Sequence, residues 1–212
     1  MERNHWYTVT SQSLATYARV TGFDLAVYEA YSKSVKQEVR KRAIKHALWQ
    51  IAHVCYEQGL DLYSTKDGVY VISLSNPLSI QYRNGRSQVI YIGIGNVMSR
   101  LKNHFEKSLF DFMQSLAGAN FDFHFARPAL KGPSKMYYKH VEYHMLEYFC
   151  EQYGGMDDRR RFPILNSNAG SNQDYRGGTD WWKKPLKASG KRPLWELKPT
   201  DFSDFAPLDS GE

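Results

Sequence analysis

The chain has 212 residues, a net charge of +6 and a pI near 9.2. This length suits one domain with appendages or two small domains, and it is enough to bury a core. The charge favours a polyanionic partner, with nucleic acid ahead of an anionic membrane surface, although surplus surface lysine would give the same value.

No stretch is apolar over the roughly 18 residues of a membrane span, and the N-terminus lacks the regions of a signal peptide. Cys55 and Cys150 lie in apolar, helix-like contexts without metal-type spacing. We therefore expect a cytoplasmic protein with no membrane partner, in which both cysteines are reduced core residues.

The first third of the chain predicts helices. Between Asp24 and Gln58 there is no Gly or Pro, and apolar residues recur at helical spacing, which indicates one long helix or two consecutive ones. Asp24 suits the N-cap and Gly59 the residue after the C-cap. The middle of this stretch is basic and predicts a solvated face, or else a phosphate-contacting or subunit-contacting one. We assign residues 1–62 to an N-terminal helical extension.

Residues 68–95 predict a β-hairpin. Two runs rich in Val, Ile and Tyr, Gly68–Leu74 and Val89–Gly95, flank a polar connection with turn residues. Each run places Gly near Tyr, as Gly-Val-Tyr in the first and Tyr-Ile-Gly in the second. In antiparallel register, Tyr70 and Tyr91 would lie on one face of the sheet.

The following elements place polar residues at regular intervals. A predicted helix at residues 96–107 carries Arg100 and His104, which share a face because they are four residues apart. Alternating phenylalanines predict a strand at residues 120–127. In a helix predicted at residues 135–153, Glu142 lies among apolar residues, where a carboxylate is costly unless it pairs with a cation or binds a metal. A short apolar segment then ends at Asn166.

The ordered set of Gly-Val-Tyr, Tyr-Ile-Gly, Arg100, His104, Glu142 and Asn166 resembles the GIY-YIG nuclease family over residues 66–168. The Arg-x-x-x-His spacing is most similar to its stand-alone restriction endonucleases. The resemblance implies an α+β fold with a small three-stranded antiparallel sheet flanked by helices. Residues 63–168 would form this core, and residues 169–212 an irregular tail packed on it or contacting DNA.

The resemblance also implies roles for these residues. Glu142 would hold one Mg²⁺ (or Mn²⁺), with water and phosphate filling the other positions. Arg100 would neutralise charge on the phosphate in the transition state. Tyr70, helped by Tyr91, or else His104, would be the base for the attacking water. Asn166 would hold a strand end or contact the phosphate, with Asn168 as the alternative.

The function implied is a metal-dependent DNA endonuclease, most simply a sequence-specific, type II-like restriction enzyme acting on double-stranded DNA. A homodimer would supply two active sites for the two strands, and sequential nicking is the alternative. Other nuclease roles (phage or mobile-element, repair, DNase toxin) and a non-catalytic nucleic-acid-binding module are the alternatives. Residues predicted to contact DNA are Lys36, Arg40, Lys41, Lys102, Arg159, Arg160, Lys183 and Lys184.

Overall fold

The computed structural model describes residues 2–129, 137–156, 160–166, 180–187 and 195–198. The strands in these ranges are β1 (Trp6–Thr10), β2 (Gly68–Leu74), β3 (Leu78–Gln81), β4 (Arg86–Ser87), β5 (Val89–Gly95), β6 (Phe121–Ala126) and β7 (Trp195–Leu197). The α-helices are α1 (Leu14–Val20), α2 (Lys33–Glu57), α3 (Val97–His104), α4 (Phe110–Ser115) and α5 (Tyr137–Phe149). The α+β class expected from the sequence is confirmed.

The main sheet has four strands in the order β1-β6-β2-β5, all antiparallel. The prediction of a three-stranded sheet therefore missed one strand. Residues 6–10 pair with β6 and do not belong to the expected helical extension. Trp6, Tyr7 and Val9 of this strand are buried. Its β-branched and aromatic composition was a usable signal, but five residues without a neighbouring partner in sequence gave too little pattern to separate it from a loop.

Strand β2 is the centre of the molecule, and all seven of its residues are buried. Residues directly opposite in an antiparallel sheet share a face. Tyr70 lies opposite Phe125 and Gly93, whereas Val71 lies opposite His124. One face of the sheet is consequently aromatic, while the other carries polar groups.

The helices before β2 follow the predicted stretch with a break. Asp24 caps a short 3₁₀ segment, Leu25–Ala30, and Ser32 caps α2, whose end is followed by Gly59 at φ +89°. After β5, α3 and α4 form one helix interrupted by a π-helical segment, Phe105–Leu109. The helix expected at residues 96–107 is thus the first part of a longer one.

The described parts of the C-terminal tail pack on the core. Strand β7 runs parallel to β3 in a small second sheet of order β4-β3-β7. Trp182 and Leu186 are buried, and the indole N–H of Trp6 donates to the carbonyl oxygen of Trp181 at 2.9 Å. The remaining tail residues, with Asn168 and Arg159, lie outside the described residues.

The structure bears on two predictions from the composition, that both cysteines are reduced core residues and that no segment spans a membrane. Cys55 and Cys150 are both free and buried, and burial raises the pKa of each thiol to about 12. Among the helices of the described ranges, none has the length and apolar content to cross a bilayer.

Candidate active site

The two tyrosines of the hairpin lie side by side on the aromatic face of the sheet. Tyr70 is fully buried and Tyr91 partly so, and their rings stack with centroids 5.8 Å apart. The two side chains are close enough for each to influence the pKa of the other. Burial raises the pKa of Tyr70 well above its usual range and also raises that of Tyr91, so neither is a tyrosinate at neutral pH.

Gly93 makes room for this pair. A Cβ at residue 93 would lie 2.5 Å from the Tyr91 ring and 2.6 Å from the Tyr70 ring. The glycine of Tyr-Ile-Gly is therefore required by the close approach of both rings, and not by an unusual backbone angle.

Gly93→Ala is expected to lower the free energy of unfolding by about 1–3 kcal/mol, since both rings must leave their packed positions. Gly118→Ala is the matched control, because a Cβ there meets nothing within 4 Å. Chemical denaturation of the two variants measures the difference. Equal stabilities would contradict the close-packing argument.

Helix α3 brings Arg100 and His104 to the tyrosines. Asn96 caps the helix by accepting from the backbone N–H of Ser99, and the N–H of Val97 donates to the carbonyl of Thr65. Gly68 of β2 lets the helix come close, because a Cβ there would lie 2.5 Å from Val97 Cγ2. These contacts fix the first turn of α3 beside β2.

His104 contacts both tyrosines. Its Nε2 lies 2.9 Å from the Tyr70 hydroxyl, and its ring centroid is 4.1 Å from that of Tyr91. Burial, together with the charges of Arg100 and Lys107, lowers the pKa of His104 to about 4. The imidazole is therefore neutral at physiological pH, and its unprotonated nitrogen can accept a hydrogen bond.

Arg100 is exposed at the mouth of the site, while Tyr70 lies at its floor. The Arg100 Nε–H donates to the carbonyl of Ile94 at 3.4 Å, a contact that fixes the start of the guanidinium group. Its charge lowers the pKa of Tyr70 and Glu142, so it is close enough to act on both.

Glu142 completes the group from α5, which packs on β2 and β5. Burial raises the pKa of this carboxyl to about 7, against the opposing influence of Arg100 and Lys139. Among the described residues, the carboxylate has no hydrogen bond and no ion pair. A half-buried acid with this little compensation is unfavourable by itself, which makes Glu142 a candidate for a functional position.

The described residues suit a divalent cation held by the single carboxylate of Glu142. They do not suit a cation that is enclosed by several protein ligands. Within the described ranges, no cluster of three or more His, Cys, Asp or Glu side chains is placed to hold a metal. Mg²⁺ commonly binds through one or two carboxylates, with water and substrate phosphate completing the shell. Glu142 meets that requirement, and a cation beside it would offset the burial of its charge.

Asn166 lies beside the site but is bound to the sheet edge. Its Oδ1 accepts from the N–H of Ile92 at 2.9 Å, and its Nδ2 donates to the carbonyl of Ile92 at 2.7 Å. Ile92 follows Tyr91 on β5, the edge strand. Asn166 thus binds the backbone in the middle of β5, and this contact is neither of the two roles expected for it, at a strand end or at the phosphate.

Asn166→Asp is expected to destabilise the protein by about 1–3 kcal/mol at neutral pH, because a carboxylate would face the Ile92 carbonyl. Protonation restores a donor, so the loss should shrink as the pH falls. Unfolding measured at neutral and acidic pH tests this prediction. Asn103→Asp, an exposed amide on α3, is the control and should show little pH-dependent change.

The residues predicted to contact DNA differ in their availability. Several form ion pairs within the chain: Lys36 with Glu29, Arg40 with Asp111, Lys102 with Glu106, Arg160 with Glu147 and Lys183 with Asp180. Arg40 also donates to the carbonyl of Glu106 and joins α2 to the helix after β5. Lys41 and Lys184 are exposed. The surface offered to a phosphate backbone is thus smaller than the sequence suggested.

Two cations next to the site were missed. Lys139 lowers the pKa of Glu142, and Lys107 lowers that of His104. Both lie three residues from the group that they influence, a spacing that puts helical side chains on the same side. This three-residue spacing is the signal in the sequence that could have identified Lys107 and Lys139.

The five side chains of Tyr70, Tyr91, Arg100, His104 and Glu142 therefore define one site, built from β2, β5, α3 and α5. Comparison with protein-family models, curated proteins and solved structures finds no match for this chain.

Proposed function

We propose that this protein is a metal-dependent endonuclease of the GIY-YIG type that hydrolyses phosphodiester bonds in double-stranded DNA. The observation that carries the proposal is the convergence of a tyrosine pair, a neutral histidine, an exposed arginine and an under-compensated carboxylate. These are the groups that phosphodiester hydrolysis needs: a proton acceptor, a phosphate-binding cation and a metal-binding acid.

Arg100 is the phosphate-binding group. Its Nε is held by the Ile94 carbonyl, which presents the terminal nitrogens at the mouth of the site. A guanidinium donates two parallel hydrogen bonds to phosphate oxygens and neutralises charge that grows in the transition state. The net charge of +6 supports a polyanionic substrate by attracting it to the protein.

Tyr70 and His104 form the proton acceptor. In the tautomer that carries its proton on Nδ1, His104 accepts the Tyr70 proton at Nε2 over 2.9 Å. Tyr70 can then take a proton from the attacking water at the same time, so that no free tyrosinate has to form. Because burial raises the pKa of Tyr70 and lowers that of His104, a separate tyrosinate–imidazolium pair is unfavourable, and the two proton transfers have to occur together.

Glu142 would hold the metal ion, which when bound supplies Lewis-acid stabilisation of the leaving oxygen. The protein's own contribution is a half-buried carboxylate next to Arg100, in a position where charge interactions are weakly screened. Asn166 acts on the site through Ile92 and is a positioning residue.

Incubation of the purified protein with plasmid DNA and Mg²⁺ tests the proposal, with Glu142→Ala as the control. Cleavage by the unchanged protein only, abolished by a chelator, is the expected result. Equal cleavage by both proteins, or binding without cleavage, would contradict it.

We further propose a sequence-specific, type II-like restriction role. A compact catalytic core with additional segments at both ends suits an enzyme whose added loops contact bases. Discrete fragments from a plasmid of known sequence are expected. A continuous smear would instead favour a non-specific repair, mobile-element or toxin nuclease.

A further inference from the structure

The outer face of α2 carries a stripe of exposed aromatic rings. Trp49 stacks between His46 and His53, with centroid distances of 5.9 and 5.2 Å. Trp49 is 56% exposed, and Tyr56, two turns further along the same face, is 71% exposed. We call His46, Trp49, His53 and Tyr56 the Trp49 stripe.

The opposite face of α2 already packs in the core. Val39, Ala43, Ala47 and Ile51 are fully buried there. A solvated helix face normally carries polar and charged residues, so exposed Trp and Tyr rings on such a face are unusual. Among the described residues, no element covers the Trp49 stripe, and an exposed Trp with aromatic neighbours is the kind of group that anchors interfaces.

We infer that the Trp49 stripe is the surface on which two copies of this chain pair, with the two α2 helices antiparallel and the two-fold axis at Trp49. In an isologous interface each residue meets a position related by the axis. Pairing about residue 49 brings Lys45 next to His53 of the partner subunit. It also brings Lys41 next to Glu57 of the partner subunit.

The order of charges along α2 indicates that a second copy of this chain binds the Trp49 stripe. The N-terminal half of this face carries Lys41, Lys45 and an ion pair of Arg42 with Glu38, and the C-terminal half ends in Glu57, which lies 3.4 Å from His53. Antiparallel pairing therefore opposes the cationic end of one helix with the acidic end of the other. A nucleic acid would meet carboxylates at Glu38 and Glu57 on the same surface, which makes it the weaker occupant.

The surface next to the stripe extends the contact. A standard interface buries about 800 Å² on each partner, more than one helix face supplies. Helix α1 lies beside α2, where Tyr17 contacts His46 edge-on at 5.6 Å between centroids. Its last residue, Val20, is 62% exposed and lies three residues after Tyr17, one helical turn further along α1.

The oligomeric state tests the inference without any assay of activity, so it stands or fails separately from the proposed nuclease. Sedimentation at micromolar concentrations is expected to show a dimer. Trp49→Glu should weaken the dimer at least about 30-fold, since hot-spot residues at interfaces contribute on this scale. Tyr63→Glu, which changes another aromatic residue (65% exposed) outside α2, should leave the dimer unchanged. Circular dichroism confirms that each variant is folded.

Disulfide trapping tests the antiparallel arrangement while Trp49 is kept. The double variant Lys45→Cys/His53→Cys is expected to give a covalent dimer on mild oxidation. Eight residues of helix separate these positions by about 12 Å, too far for a disulfide within one chain. The buried Cys55 and Cys150 do not compete.

The two single variants are the matched controls and should remain uncrosslinked. A covalent dimer from Lys45→Cys alone would indicate parallel helices and overturn the arrangement. A monomeric unchanged protein, or a Trp49→Glu dimer of undiminished affinity, would overturn the inference itself.

Discussion

Replacing Glu142 by Gln is expected to reduce DNA cleavage by at least about a thousandfold and, at the same time, to make the metal-free protein more stable above neutral pH. Gln keeps the size of the side chain but cannot act as an anionic metal ligand. It also removes a charge whose burial raises the pKa of the carboxyl from 4.5 to about 7. Activity and stability are thus expected to change in opposite directions.

The direction of the pH dependence follows from proton binding. Between pH 4.5 and about 7 the folded protein holds a proton on Glu142 that the unfolded chain has released. This contribution to stability is fully present at acidic pH and is lost as the pH rises through about 7. Glu142→Gln has no such dependence, so its advantage should grow with pH to about 1–3 kcal/mol.

Chemical denaturation of the metal-free proteins across this pH range measures the effect. Mg²⁺ should then stabilise the unchanged protein and leave Glu142→Gln unaffected. Glu151→Gln, an exposed acid that follows α5, serves as the control and should show neither change. A Glu142→Gln variant less stable at alkaline pH would show that the carboxylate has a partner in the fold.

Arg100 should give the second large effect, and two substitutions separate its charge from its shape. Arg100→Lys keeps the charge but loses the two parallel donors, and we expect kcat to fall about 100-fold. Arg100→Gln loses both, and the fall should be about 1000-fold or more. Since Arg100 lowers the pKa of Glu142, the Gln variant should also need a higher pH for activity.

A pH–rate profile of the three proteins checks this prediction. The acidic limb of Arg100→Gln should lie at higher pH than that of Arg100→Lys. Asn103→Gln, on the exposed side of the same helix, is the control for changes in α3. Equal losses in kcat with identical pH profiles would mean that Arg100 acts only by its shape.

The parts of the fold that follow a local period were predictable from the sequence. The hairpin strands of Tyr70 and Tyr91 alternate every second residue, which puts both rings on one face, as the observed register confirms. Arg100 and His104 share a helix face for the same kind of reason. We expected these residues to lie near Glu142 only because the sequence resembles the GIY-YIG nuclease family. No hydrophobic or helical period connects Glu142 with them.

The parts that depend on distant pairing were not predictable. Strand β1 needs β6 to be recognised as a strand, and β7 needs β3. Asn166 shows the same limit, because its partner is the backbone of Ile92 on another element. A contact with a backbone partner has no counterpart in the pattern of side chains, so the sequence does not indicate it.

The π-helical segment between α3 and α4 lets one continuous helix direct its first half toward the site and its second half toward the core. Such a segment adds one residue to a turn and rotates everything after it around the helix axis. The residues before it are oriented by the tyrosine pair, while Phe110 and Met113 after it are oriented by the core, where both are fully buried. The two halves are therefore adjusted to different neighbours while the backbone remains continuous. A one-residue deletion between positions 105 and 109 would restore a regular α-helix and force either His104 or Phe110 away from its partners.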